Sequence, residues 1–158
     1  MATSEDLLRA LQPLLLSLAE VDHHQSGAAE CLNGSWAVDS EAMVEIRALV
    51  NTGISEGWFA PRGESGMKWG RLAKASEATH GYSVDGVLMN QAGPGHGHPN
   101  GELDLCFAID GDPRFDGHAE GWVVYGPGSW HVPTVSGGTM AILYFLPEGA
   151  IAFGPREA

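Results

Sequence analysis

Cysteine is almost absent from this chain. Cys31 and Cys106 are the only two in 158 residues, they lie far apart and neither sits in a CxxC, which excludes a disulfide framework and a thiolate zinc site. Two buried thiols are expected instead. Cations are nearly as scarce, with eight Lys plus Arg against twenty Asp plus Glu and a net charge of -12. That balance disfavours nucleic acid and anionic membrane surfaces, both of which need clustered basic residues, and leaves small molecules as the expected partners. Long apolar runs are missing too, since the stretch around Leu14 to Leu18 is too short to span a bilayer. The opening Met1-Ala2-Thr3-Ser4-Glu5-Asp6 is acidic where a signal peptide is basic, so a cytoplasmic location is expected. Neither a GxGxxG turn between strand and helix nor a P-loop occurs, and no nicotinamide or flavin is expected.

What is present points to one domain with a real core. The apolar fraction is an ordinary 44%, and the 22 Gly and nine Pro fall mostly after residue 50, between short apolar runs, which favours a β body. Thr3 or Ser4 can cap a helix with Glu5 and Asp6 in its first turn and a stripe of Leu7, Leu8, Leu11, Leu14, Leu15 and Leu18, kinked at Pro13. Gly27 to Leu32 reads as a short helical turn closing at Asn33-Gly34. Asp39 or Ser40 caps another helix, carrying Met43, Ile46, Leu49 and Val50 and ending at Gly53. From Trp58 the pattern changes to strands over Met67 to Ala73, Tyr82 to Met89, Leu103 to Ile109, Gly121 to Tyr125 and Met140 to Leu146. Gly93-Pro94-Gly95, Asp110-Gly111-Asp112-Pro113 and Ser136-Gly137-Gly138 read as the reversals between them. The expected organisation is a helical segment over 1–57 and a mainly β body over 58–158, forming one structural unit.

The chemistry concentrates in Gly95-His96-Gly97-His98-Pro99-Asn100-Gly101-Glu102. Alternate residues of an extended segment point the same way, so His96 and His98 share a face, and Glu102 has the same parity. The Pro/Gly turn in Gly126-Pro127-Gly128-Ser129-Trp130-His131 delivers a third histidine into another strand. Three His and one Glu suit a divalent ion such as Fe, Mn, Zn, Ni or Co. Chance histidines in a solvated loop would account for any one of these residues; the coincidence of four favours a ligand set. Glu102 is also a candidate general acid or base, and Asp104, of the same parity, a candidate for orienting a metal-bound imidazole.

This pattern resembles the cupin superfamily, small β-barrels built as a double-stranded β-helix. His96, His98 and Glu102 match its first motif in spacing, and Gly128 and His131 its second, with Gly126 standing where a proline is usual. A closer resemblance covers most of the chain after about Trp69. Lys74-Ala75-Ser76, Thr79-His80-Gly81, Gly93-Pro94-Gly95-His96, His98-Pro99-Asn100-Gly101-Glu102, Asp104-Leu105-Cys106-Phe107 and Glu120-Gly121-Trp122-Val123-Val124-Tyr125 look like the 4-hydroxylaminobenzoate lyase family. His131-Val132-Pro133-Thr134-Val135, Ile142-Leu143-Tyr144 and Leu146-Pro147 extend the similarity. The resemblance implies an enzyme of bacterial nitroaromatic breakdown that converts 4-hydroxylaminobenzoate to 3,4-dihydroxybenzoate and ammonia.

Outside the cluster, His80 opens a strand from which it can reach a barrel mouth, and is a candidate catalytic residue. Arg71 and Lys74 lie in one strand-like segment, and Arg71 is suited to a substrate carboxylate because its planar guanidinium makes two parallel hydrogen bonds. Trp122, Tyr125, Trp130, Tyr144 and Phe145 can line an aromatic pocket, with Tyr125 and Tyr144 the candidates for substrate contact, although alternating strand aromatics are usually core. His23, His24 and His118 read as exposed loop residues. Two other functions fit the same His/Glu cluster: a metal-dependent dioxygenase or isomerase of small aromatic acids, and a non-catalytic small-molecule-binding cupin. Small barrels with apolar edges often pair, so a homodimer is expected.

Overall fold

The computed structural model describes residues 2–22 and 27–156, so the reading of His23 and His24 lies outside the described residues. Thr3 caps α1 (Ser4–Ala10) in a capping box with Asp6. The leucine stripe then continues in α2 (Gln12–Leu18), a separate helix with Pro13 in its first turn. That is where a proline costs no hydrogen bond, so the expected kink is a break between two helices. Leu7, Leu11, Leu14, Leu15 and Leu18 are all fully buried. The helical turn after Gly27 is α3 (Ala28–Ser35), and its outward face carries Cys31, an exposed thiol where a buried one was expected; Cys106 is buried.

Ser40 is the N-cap of α4 (Glu41–Glu56), which passes through the expected stop at Gly53 and ends at Gly57 in the left-handed conformation, φ 87°. Gly53 has a different task. The backbone nitrogens of Gly57, Trp58 and Phe59 all donate to its carbonyl, and a Cβ there would lie 2.7 Å from the Trp58 ring and 2.9 Å from Phe59 Cβ. The chain folds back onto this bare spot, so Gly53→Ala is expected to cost about 1–3 kcal/mol through overpacking, measured as a lower urea midpoint.

The β body is antiparallel. One sheet holds six strands in the order β1 (Arg62–Glu64), β2 (Met67–Ala73), β3 (Tyr82–Met89), β8 (Val135–Pro147), β5 (Glu102–Phe115) and β6 (Gly121–Tyr125). The other holds three, in the order β7 (Ser129–His131), β4 (His96–His98) and β9 (Ala152–Phe153). The fold is mainly β and cupin-like, with the two sheets facing each other across the site and, among the described residues, no ladder closing them into one continuous sheet.

Two expected reversals are absent. Asp110-Gly111-Asp112-Pro113 belongs to β5 and Ser136-Gly137-Gly138 to β8, and the two segments pair with each other, Gly111 opposite Gly138 and Arg114 opposite Ser136, through two register shifts. Glycines allow this close bulged approach: a Cβ on Gly111 would meet the Gly137 carbonyl at 2.5 Å. They extend the strands instead of turning them.

Strand parity divides the core. Leu103, Leu105 and Phe107 of β5 pack with Val84, Leu143 and Phe145 against the leucines of α1 and α2. Cys106, between them, joins Val87, Ile142 and Tyr144 in a second core on the other face. Glu102 and Asp104 share the parity of Cys106, so they point away from the helices and into the space between the sheets. The helical layer thus backs the sheet that holds the site.

Candidate metal centre and cavity

Three imidazoles close around one carboxylate. β4 pairs with β7 so that His96 faces His131 directly, while Glu102 enters from the opposite sheet as the first residue of β5. His96 Nε2 lies 3.3 Å from Glu102 Oε1, His98 Nε2 lies 3.2 Å from Oε2, and His131 Nε2 lies 3.5 Å from Oε2. The two nitrogens of His96 and His131 are 3.1 Å apart. Ligand atoms from all four residues fall within 4.8 Å of one another. His96, His98 and Glu102 are buried.

The outer nitrogens decide what the inner ones offer. His96 Nδ1 donates to the Pro94 carbonyl at 3.2 Å, and His131 Nδ1 to Asp116 Oδ2 at 2.6 Å. Ser129 Oγ spends its proton on the Gly126 carbonyl at 2.6 Å, so it accepts from His98 Nδ1 at 2.8 Å. This network assigns each neutral ring its proton on Nδ1 and its lone pair on Nε2, aimed inward. His98 Nε2 and Glu102 Oε2 are both buried without a hydrogen-bond partner among the described residues although 3.2 Å apart. Electron pairs facing one another at that distance call for a cation. The donor set fits a divalent ion, with imidazole and carboxylate but no thiolate.

The electrostatics agree. Burial pushes Glu102 up, but the three imidazoles of His131, His96 and His98 around it outweigh that and hold the carboxyl well below the usual range. Burial opposes charge on His131 as well, yet Asp116 and Glu102 raise it to about 9, so at neutral pH its Nε2 holds a proton that a metal ion would displace. Asp104 behaves oppositely: burial first, then the Glu102 charge beside it, push it well above the carboxylate range, so it backs Glu102 as a neutral acid. The imidazole-orienting role expected of Asp104 belongs to Asp116. Besides His131, Asp116 takes the Thr134 backbone nitrogen at 2.9 Å and the Tyr125 hydroxyl. Its signal was faint, a residue in an apparent turn joined to His131 only by pairing across the fold.

A cavity of about 590 Å³ opens beside the cluster, with His96 and Tyr144 among its lining residues. Trp58, Met67, Trp69, Val87, Ile151 and Phe153 supply apolar wall, and Arg62, Arg71 and Asp85 supply charge. Arg71 is already engaged: its Nε donates to Asp85 Oδ1 at 2.7 Å and its Nη2 to Oδ2 at 3.2 Å. Of the other candidates, Tyr144 lines the cavity, whereas Tyr125 stacks on His98 at 5.4 Å between ring centroids, behind the ligands. Lys74 and His80 are exposed and lie outside the residues lining the cavity. His80 sits in the turn before β3 with φ 54°. Trp122 and Phe145 belong to the helix-facing core. Sequence reasoning missed Arg62, Trp58, Trp69 and Phe153, which share no motif and meet only through the strand order.

An antiparallel two-sheet body whose facing strands converge three histidines and a glutamate defines a cupin-like protein. The family model for PnbB, 4-hydroxylaminobenzoate lyase, matches residues 13–153. Two proteins carrying that name are similar along most of their length. The one from Nocardioides sp. (strain LMS-CY) is 30% identical over 97% of this chain and 96% of its own; the one from Pseudomonas putida is 31% identical over 77% and 80%. The chain belongs to the 4-hydroxylaminobenzoate lyase family and is a lyase. It also overlays in part on an RmlC-like cupin protein from Ralstonia eutropha JMP134, with a TM-score of 0.42 and 15% identity over 58% of this chain and 62% of that one.

Proposed function

We propose that this lyase converts 4-hydroxylaminobenzoate, or a closely related hydroxylaminoaryl acid, to 3,4-dihydroxybenzoate and ammonia. The observation that carries the reading beyond the family name is the cavity itself, an aromatic-walled space that meets the His/Glu cluster at His96 and has arginines in its wall.

The net reaction adds water and releases ammonia, and it needs no external oxidant because the N–O bond already holds the oxidising equivalents. Loss of the hydroxyl as water leaves an electron-poor, imine-like ring, and a second water adds to the carbon beside the nitrogen. Hydrolysis of the imine before the ring regains aromaticity yields a catechol and ammonia; the reverse order yields an aminophenol. His96, His98, Glu102 and His131 would hold a divalent metal, which supplies Lewis acidity to the N–O end and lowers the pKa of water bound there. Trp58, Trp69 and Phe153 offer apolar surface to the ring. Arg71 pairs with the substrate carboxylate. Of the two proton-transfer candidates, Glu102 is the one in contact with the histidine cluster, whereas His80 is exposed in the turn before β3.

The test is ammonia and aromatic product from 4-hydroxylaminobenzoate under anaerobic conditions, with and without prior chelation. The expected result is one ammonia per catechol without oxygen, lost on chelation and restored by metal. Oxygen consumption would favour the dioxygenase reading, and binding without turnover the non-catalytic one.

A further inference from the structure

We propose that Arg62, on the edge strand β1, is the cation that selects for a carboxylate on the substrate, meeting the acid beside Arg71. The inference rests on the aryl-acid reading above and names the residue that gives the cavity its preference for an acid.

The charges in the cavity wall do not balance. Arg62, Arg71 and Asp85 all line the cavity, and Asp85 is committed to Arg71 through two hydrogen bonds. Arg62 has no hydrogen bond or ion pair to any described residue. With eight Lys plus Arg against twenty Asp plus Glu in the chain, acids are abundant, yet none of those described has been placed on this cation. Two guanidiniums and one carboxylate leave one positive charge over. A substrate carboxylate would offset it.

The backbone under Arg62 is firmly seated. β1 pairs with β2 so that Arg62 stands opposite Trp69, and Arg71 follows Trp69 by two residues on the same strand. Arg62 and Arg71 are therefore diagonal neighbours on one face of the sheet, ~7–8 Å apart and within reach of long side chains. On either side of Arg62 the chain rests on β2. A Cβ on Gly70 would lie 2.5 Å from Pro61 Cδ, and a Cβ on Gly63 would lie 2.5 Å from Trp69 Cζ3. The Arg62 side chain itself is exposed, so its guanidinium is open to a ligand. Its planar fork can meet both oxygens of a carboxylate.

The placement suits the reaction. β1 is the edge of the six-stranded sheet and His96 belongs to the three-stranded one, yet Arg62 and His96 line the same cavity of about 590 Å³. That volume is in the range that takes a small organic ligand. One molecule can then present its acid to Arg62 and its nitrogen to the His/Glu cluster, with Trp58 and Trp69 beside the ring. An acid and a hydroxylamino group at different positions on one ring meet that division.

Binding, read apart from turnover, tests the assignment. Calorimetric titration of the protein as purified would compare 4-aminobenzoate with its neutral counterpart 4-aminobenzamide in the wild type, Arg62→Gln and Arg62→Lys. The wild type is expected to prefer the acid by about tenfold, as a hydrogen bond to a charged group implies. Arg62→Gln should lose about that factor for the acid and keep its affinity for the amide. Arg62→Lys keeps the charge without the fork and should fall between the two. Because Arg62 makes no ion pair within the described chain, Arg62→Gln should melt with the wild type, which separates ligand binding from a structural role. Equal binding of the two probes by the wild type, an equal loss of both in Arg62→Gln, or an unchanged acid affinity in that variant would overturn the proposal; acid held by the metal alone would give the last result. Ammonia release by the wild type is scored separately. An acid preference that depends on Arg62 without ammonia release would remove the lyase substrate and leave the selecting cation in place.

Discussion

Glutamine in place of Glu102 is expected to abolish ammonia release and to strip the protein of divalent metal while leaving the fold intact. The substitution keeps the volume of the side chain and removes the one negative charge at the point where three imidazole nitrogens meet, 3.2 to 3.5 Å away. Without that charge the cluster is three neutral donors, and the amide must also place an NH2 group toward one of the positions a cation needs. Metal affinity should fall by more than the roughly 10–100-fold that follows loss of an outer partner of a ligand. Stability is a different matter. A buried carboxylate is costly to desolvate, so the metal-free variant should melt within a few degrees of the metal-free wild type. Elemental analysis of purified protein, the ammonia assay and a melting curve measure the three parts. A variant that retains both metal and turnover would remove the cluster from the reaction.

The ligand set was legible because it depends on local periodicity. His96-Gly97-His98 is a strand in which parity alone places two rings on one face, and Glu102 opens the next strand with that parity intact. The leucine stripe and the Ser40 cap were legible for the same reason, one period and one capping preference. What stayed hidden depends on which strands are neighbours. The cavity wall draws Trp58 from the segment after α4, Trp69 from β2, Val87 from β3 and Phe153 from β9, and no spacing in the chain links them. Glycine misled in both directions. Gly53, an apparent helix stop, is a seat for Trp58 and Phe59, and Gly111 with Gly137 and Gly138, apparent turns, let β5 and β8 run on at close approach. Each of these four glycines marks a place where a side chain is not tolerated, and only the tertiary neighbour says why.

Asp116→Asn is expected to weaken metal binding about 10–100-fold and to leave an enzyme that excess metal rescues. Asp116 is an acceptor for three donors: the His131 ring nitrogen and the Tyr125 hydroxyl on Oδ2, and the Thr134 backbone nitrogen on Oδ1. An asparagine has one oxygen, so whichever way the amide is turned its NH2 group faces a group that was donating. If it faces His131, the ring relieves the conflict by moving its proton to Nε2, which points the N–H at His96 and Glu102 and withdraws one lone pair from the cluster. The ligand is then present but in the wrong tautomer. This distinguishes it from Glu102→Gln, in which the ligand charge itself is gone and added metal should not restore turnover. Tyr125→Phe serves as the graded control. It removes one donor from Asp116 and leaves the carboxylate on His131, so its effect on metal affinity should be smaller than that of Asp116→Asn. Competition titration against a chelator of known affinity would order the three variants, and an Asp116→Asn protein with wild-type affinity would show that His131 keeps its tautomer without the carboxylate.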